Sequence, residues 1–262
     1  MKKKLRLFGL ALTGLLPNFL KRPIYHFCFG YKIAGSARIG LAILDCKSLT
    51  IGDHARISHG VVFLQCGEVS IGKHAIIGVL NLFRGGERIH LGDYALVIRL
   101  NVINAIPDND SINNPDSSFY LGDGSVVTAE HRIDFTDRVR IGNHSIFGGR
   151  NSSIWTHNRR IGKPVEIGNY CYVGSEIRMA PGAKIPDCCI VGIGSVVTQK
   201  IEETDSLISG FPAKKIRALS AKDYELIFGK TRPDLPDQQY PLPKSVSPSA
   251  SSASLSDDVE VV

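Results

Sequence analysis

One tetrad recurs along the chain: Ile51-Gly52-Asp53-His54, Ile71-Gly72-Lys73-His74, Leu91-Gly92-Asp93-Tyr94, Leu121-Gly122-Asp123-Gly124, Ile141-Gly142-Asn143-His144 and Ile167-Gly168-Asn169-Tyr170, at spacings of 20, 20, 30, 20 and 26 residues. A repeat at a period of 20 limits the chain to an architecture of stacked, near-identical units. Six residues after each tetrad start an apolar residue returns (Ile57, Ile77, Val97, Val127, Phe147, Val173), and the fourth place after it is small (Ala55, Ala75, Ala95, Ser125, Ser145, Cys171). Six residues with one inward apolar position are too few for a helix pair and suit a short strand closed by a glycine turn. Three such sides make a coil, and coils stacked as parallel strands about 4.8 Å apart bury a column of Ile, Leu and Val. The two residues left over in each period predict a bulge at one corner, near Cys66-Gly67, Gly85-Gly86 and Thr136-Asp137. Between Ile33 and Ile201 there is room for about seven or eight coils.

The net charge of +6 suggests a polyanion partner until it is located. Lys2, Lys3, Lys4, Arg6, Lys21 and Arg22 account for all of it, leaving 25 basic against 25 acidic residues over positions 23–262. A balanced domain offers no stripe for a phosphate backbone, so nucleic acid is not an expected partner. The six cations bracket an apolar stretch, Leu5 to Leu20, which is shorter than a spanning helix needs and is broken by Gly9, Gly14 and Pro17. A signal peptide would need a small-x-small cleavage site, and the bulky, basic residues Asn18 to Pro23 follow instead. The expectation is a helix lying at the inner, anionic face of a membrane in the cytoplasm; packing on its own domain is the competing reading. The six cysteines show no paired framework and read as small buried residues in a reducing compartment, with Cys28 a weak lipidation candidate.

The stretch Ile167 to Arg217, IGNYCYVGSEIRMAPGAKIPDCCIVGIGSVVT followed by SGFPAKKIRAL, resembles the C-terminal signature of the hexapeptide-repeat acyltransferases of the galactoside, maltose and serine acetyltransferase kind. The resemblance covers about residues 33–217. It implies a left-handed parallel β-helix, a homotrimer, and acetyl-CoA as acyl donor bound between neighbouring prisms. The organisation expected is therefore all-β: a basic and apolar N-terminal helical segment over 1–30, the β-helix over 31–219, and a short helix with a disordered Pro- and Ser-rich tail over 220–262.

Two spacings exceed 20, so two coils extrude loops, around Ala105 to Ser117 and around His157 to Lys163. His157 occupies the position of the family's general base. Imidazole suits that role, being largely neutral near pH 7 and able to take a hydroxyl proton during attack on a thioester. The polar column counted ten residues from each tetrad start, Val61, Asn81, Asn101, His131, Asn151 and Ile177, admits two readings. One is a ladder of stacked, hydrogen-bonded side chains. The other places His131, Asp134, Asn151 and Trp155 on the acceptor side of a cleft beside His157. For the donor, the resemblance transfers Ser175, Ile193 and Thr198 along a thin pantetheine arm and Lys214 near its phosphate, and the small Gly174 and Gly194 would let that arm approach the backbone. His54 and His59 are five apart, a spacing also met in γ-class carbonic anhydrases on the same prism. The repeat explains His54, with His74 and His144, as a corner residue, so no metal is expected. The function expected is an O-acetyltransferase acting on a sugar hydroxyl of a bacterial surface glycan or its precursor. The alternatives are a non-catalytic assembly platform and a zinc enzyme of the carbonic anhydrase kind.

Overall fold

The computed structural model describes residues 3–106, 113 and 115–228. Among them the chain winds into eight coils of a three-faced parallel β-solenoid. Three inward columns fill it. Cross-strand register aligns Ile51, Ile71, Leu91, Leu121, Ile141, Ile167 and Ile185 on the first face. Phe63, Phe83, Ile103, Ile133, Ile154, Met179 and Val197 align on the second. Ile39, Ile57, Ile77, Val97, Val127, Phe147, Val173, Val191 and Ile208 align on the third. All of these side chains are buried, and with strand spacing fixed by hydrogen bonds each touches the equivalent residue one coil away.

The tetrads form the corner between the first and third faces. Their fourth residues, His54, His74, Tyr94, Gly124, His144 and Tyr170, all turn through left-handed backbone, and their rings stack up the corner, His54 on His74 at 4.9 Å and His74 on Tyr94 at 4.8 Å. The histidines are corner residues, as the period predicts. His59 lies apart from this column and accepts the Leu41 N–H at Nδ1. The expected bulge falls at the corner between the second and first faces, where Gln65, Gly85 and Gly86 have positive φ. Both extruded loops leave from that same corner.

Two helices precede the first coil, α1 (Lys3–Leu15) and α2 (Asn18–Phe29), the second ending at Gly30 with φ 71°. Their inner sides bury Leu10 and Tyr25 in the core and add polar contacts to the edge of the first coil. Lys21 Nζ donates to the carbonyls of Ile39 and Gly40, Arg22 donates to Ala37 O, and Asn18 Oδ1 accepts the Ile39 N–H. Arg6 pairs with Asp45 at 3.0 Å and donates to Cys46 O. The expectation that all six N-terminal cations face a membrane is therefore corrected: Arg6, Lys21 and Arg22 serve their own domain, because the first coil's backbone groups have no coil beneath them to bond. The outer side is apolar and exposed, through Leu5, Phe8, Leu12, Leu15, Phe19, Leu20 and Phe27. No described helix is long and apolar enough to cross a membrane.

At the other end Ser206–Gly210 adds a parallel strand to the third face and Ala213–Ala218 returns antiparallel beside it. Helix α3 (Ala221–Phe228) sets Ile227 against Ile190 and Leu207. The Pro- and Ser-rich tail lies outside the described residues.

Candidate active site

The strand Arg132–Asp134 and the strand Ser153–Ile154 are neighbours on the second face. Just past the end of the second strand, Thr156 turns inward and His157 follows. The Thr156 N–H and hydroxyl both donate to Asp134 Oδ2, and the Thr136 N–H and hydroxyl both donate to Oδ1. Four donors thus fix the carboxylate, and a fifth contact remains: His157 Nδ1 lies 2.6 Å from Asp134 Oδ2. A carboxylate only accepts, so Nδ1 carries the hydrogen, and in the neutral imidazole the lone pair is on Nε2. The Asp134 side chain is 6% exposed and that of His157 18%, so the imidazole is held from inside and open outside.

The loop after His157 is short and braced. His157 bridges to Gly162, and Asn158 Oδ1 accepts the N–H groups of Arg160 and Ile161. Asn113, from the other extruded loop, grips the Gly162 peptide from both sides, Oδ1 accepting its N–H at 2.9 Å and Nδ2 donating to its carbonyl at 2.7 Å. Thr156 ties the base of the loop to the coil below, its hydroxyl accepting the Asp137 N–H. Burial raises the Asp137 carboxyl pKa. Most of the first loop, residues 107–112 and 114, lies outside the described residues.

The remaining expected site residues fall into three groups. Trp155 and Asn151 line one cleft on the second face. Asn151 is not in the polar column: between Val127/Phe147 and Ala129/Arg150 the register shifts by one residue at Gly148-Gly149, so Ser152 takes that place. His131 requires a correction as an acceptor-side residue. It is fully buried inside the column, which runs Asn81, Asn101, His131, Ser152. Asn81 Oδ1 accepts the Asn101 N–H, Asn101 Oδ1 the His131 N–H, and His131 Nδ1 the Ser152 N–H. Nε2 meets Thr128 Oγ1 at 2.9 Å. Desolvation by burial pushes the His131 pKa down to about 4, partly opposed by a hydrogen bond with the Phe147 backbone. The fully buried imidazole thus stands in for a ladder asparagine.

Of the expected donor residues, Gly174, Ser175, Ile193 and Gly194 gather at the corner between the third and second faces, where the Gly194 N–H donates to Ser175 O. Ile193 is exposed there, and no heavy atom lies within 4 Å of a Cβ built on Gly194. Thr198 is exposed at the far end of the second face, past the strand Val196–Val197. Lys214 sits on the antiparallel strand, paired with Ser209. The corner is open and backbone-lined, and Ser209, the strand partner of Lys214, borders it, its Oγ 2.9 Å from a Cβ built on Gly192. Sequence reasoning missed Thr136, Thr156 and Asn113, which touch the dyad or its loop. For the threonines, the register of Asp134 with the Trp155-Thr156-His157 run was the available signal.

No family model matches the chain. It is 25% identical over 115 residues to galactoside O-acetyltransferase of Escherichia coli (strain K12), a match covering 42% of this chain and 56% of that protein. It is 30% identical over 119 residues to a putative acetyltransferase, YJL218W, of Saccharomyces cerevisiae, covering 41% and 59%. The chain thus spans less than two thirds of the length of the curated relatives it matches. Among solved structures, the polysialic acid O-acetyltransferase OatWY superposes with a TM-score of 0.50 at 18% identity, over 72% of this chain and 84% of that one, a likeness of fold. With its period of 20 and its three-faced prism, the chain is a parallel β-solenoid whose sequence is similar, over 42% of its length, to galactoside O-acetyltransferase.

Proposed function

We propose that the chain is an acetyl-CoA-dependent O-acetyltransferase whose acceptor is a sugar hydroxyl of a surface glycan or its precursor. The observation that carries this reading is the bond from His157 Nδ1 to a carboxylate fixed by four further donors, on a loop braced from two sides. Asp134 sets the tautomer and orientation, leaving Nε2 to take the acceptor's proton as its oxygen attacks the thioester carbonyl. The C–S bond then breaks and the proton passes to the departing CoA thiolate. The relation to a galactoside O-acetyltransferase supports both the reaction class and a sugar acceptor. In a homotrimer of such prisms the donor corner at Ser175 and Gly194 would face a neighbour. The test is CoA release from acetyl-CoA by the purified chain over a panel of glycans. Release that depends on acceptor and vanishes in His157→Ala supports the reading, and a chain that neither binds acetyl-CoA nor releases CoA refutes it.

Peripheral contact with the cytoplasmic face of a membrane belongs to the same proposal, carried by the exposed apolar side of α1 and α2 beside a segment without acidic residues before Asp45. Because α2 also seats the first coil, the contact is tested by Phe19→Asp with Phe27→Asp rather than by truncation. Loss of binding to anionic vesicles with an unchanged melting temperature is expected; undiminished binding rejects the contact.

A further inference from the structure

Two residues before each member of the dyad, the same segments line a cleft that the proton transfer leaves unused. Arg132 precedes Asp134 on one strand and Trp155 precedes His157, and both line a space of about 400 Å³ together with Ser153 and Arg178. Register sets Arg132, Ser153 and Arg178 side by side on successive coils, so a small serine separates two guanidinium-bearing rungs by about 9–10 Å. Arg178 Nη1 donates to the carbonyls of Asn151 and Ile177, which steadies the group without neutralising it. Among the described residues neither Arg132 nor Arg178 forms an ion pair, whereas Glu130 in the same cleft is matched by Arg150 at 3.9 Å. The lining itself holds two arginines and two glutamates; with Glu130 paired to Arg150 from outside the lining, the two arginines face one unpaired acid, Glu176. Trp155 is 48% exposed.

We propose that this cleft binds an anionic sugar, with the ring against the Trp155 indole and a carboxylate or phosphate between Arg132 and Arg178. A flat indole offers an apolar surface to the C–H face of a pyranose, and a guanidinium pairs with an oxyanion through two parallel N–H donors. Two residues of extended strand, about 7 Å, separate Trp155 and Arg132 from the dyad. That is about one sugar ring, which brings a hydroxyl of the bound ring or its neighbour to His157 Nε2. Calling the cleft the acceptor subsite rests on the acetyltransferase reading; the binding itself does not.

Trp155 is the chain's single tryptophan, so its fluorescence reports this cleft without turnover. The full-length His157→Ala chain is titrated with a uronic-acid oligosaccharide, with the same oligosaccharide converted to its neutral amide, with a sugar phosphate and with CoA. A saturable fluorescence change is expected with at least one of the two acidic sugars, and the better of them identifies the anionic group. The amide should bind about tenfold more weakly or worse, and Arg132→Gln should weaken the acidic ligand by about tenfold while leaving the amide unchanged, the loss of one charge-assisted contact. Equal binding of acid and amide, or no binding of either acidic sugar, overturns the proposal. So does a fluorescence response to CoA that Arg132→Gln abolishes, which would assign the cleft to the donor's phosphates. Acid-sugar binding by a wild-type chain that transfers no acetyl group would reject the acetyltransferase reading and leave this inference standing.

Discussion

His157 and Asp134 are 23 residues apart in sequence and 2.6 Å apart in space, joined across two neighbouring coils. Because both Asp134 oxygens already accept N–H and O–H donors from Thr136 and Thr156, an amide in its place turns at least one N–H donor toward another. Asp134→Asn should lower kcat by about 10² or more by releasing the His157 tautomer, with the KM for acetyl-CoA little changed. A melting curve run beside the kinetics separates this from unfolding. Full activity in a folded Asp134→Asn chain would remove Asp134 from the mechanism.

His131 links the interior to pH. Its folded pKa, about 4, lies below its ordinary value of 6.5, so the folded chain binds fewer protons than the unfolded chain between those values. Its contribution is fully present above pH 6.5 and is lost as pH falls toward 4, on the order of 3 kcal/mol in all. His131→Asn keeps an acceptor for the Ser152 N–H and removes the titration, so its stability should fall less steeply over that window. Denaturant unfolding of both chains at pH 7 and 4.5 makes the comparison; parallel slopes would contradict it.

Asn113→Ala removes both hydrogen bonds to the Gly162 peptide. Each is worth about 0.5–1.5 kcal/mol, enough to loosen the loop after His157 but not to unfold the prism. Expected is a several-fold drop in kcat with the global melting temperature nearly unchanged. A drop in melting temperature without a change in kcat would mark the contact as structural only.

Glycines of the turns divide by what surrounds them. A Cβ on Gly78 would lie 1.8 Å from the Ile98 carbonyl oxygen, fixed backbone of the next coil. Gly78→Ala should therefore cost about 3 kcal/mol or more, among the large effects of single substitutions. Gly194→Ala meets no heavy atom within 4 Å and bears only the strain of φ 72°, about 1–2 kcal/mol. Thermal unfolding that ranks the two the other way would contradict the coil spacing.

The period of 20 made the three inward columns legible, because one apolar residue per six fixes both the side length and the face. It was blind to anything that breaks the count. A single extra residue at Gly148-Gly149 moved Ser152 into the place assigned to Asn151, and no feature of a glycine pair in a glycine-rich chain announces such a shift. His157 was found through a motif, whereas the partners of Asp134 depend on register between coils of unequal length. Lys21 and Arg22 misled for another reason: charge beside an apolar stretch looks alike whether the cation meets a lipid headgroup or a backbone carbonyl.

A parallel solenoid has no intrinsic length, since the top of every coil is a template for another. In this chain the third face is spoiled as a template at both ends of the stack. Below, Lys21, Arg22 and Asn18 occupy the very carbonyls and N–H group that an incoming strand would need. Above, the reversal at Ala213–Ala218 presents an antiparallel edge in place of a parallel one. On that face the N-terminal helices act as a stopper, and a chain stripped of them would carry a bare parallel edge there.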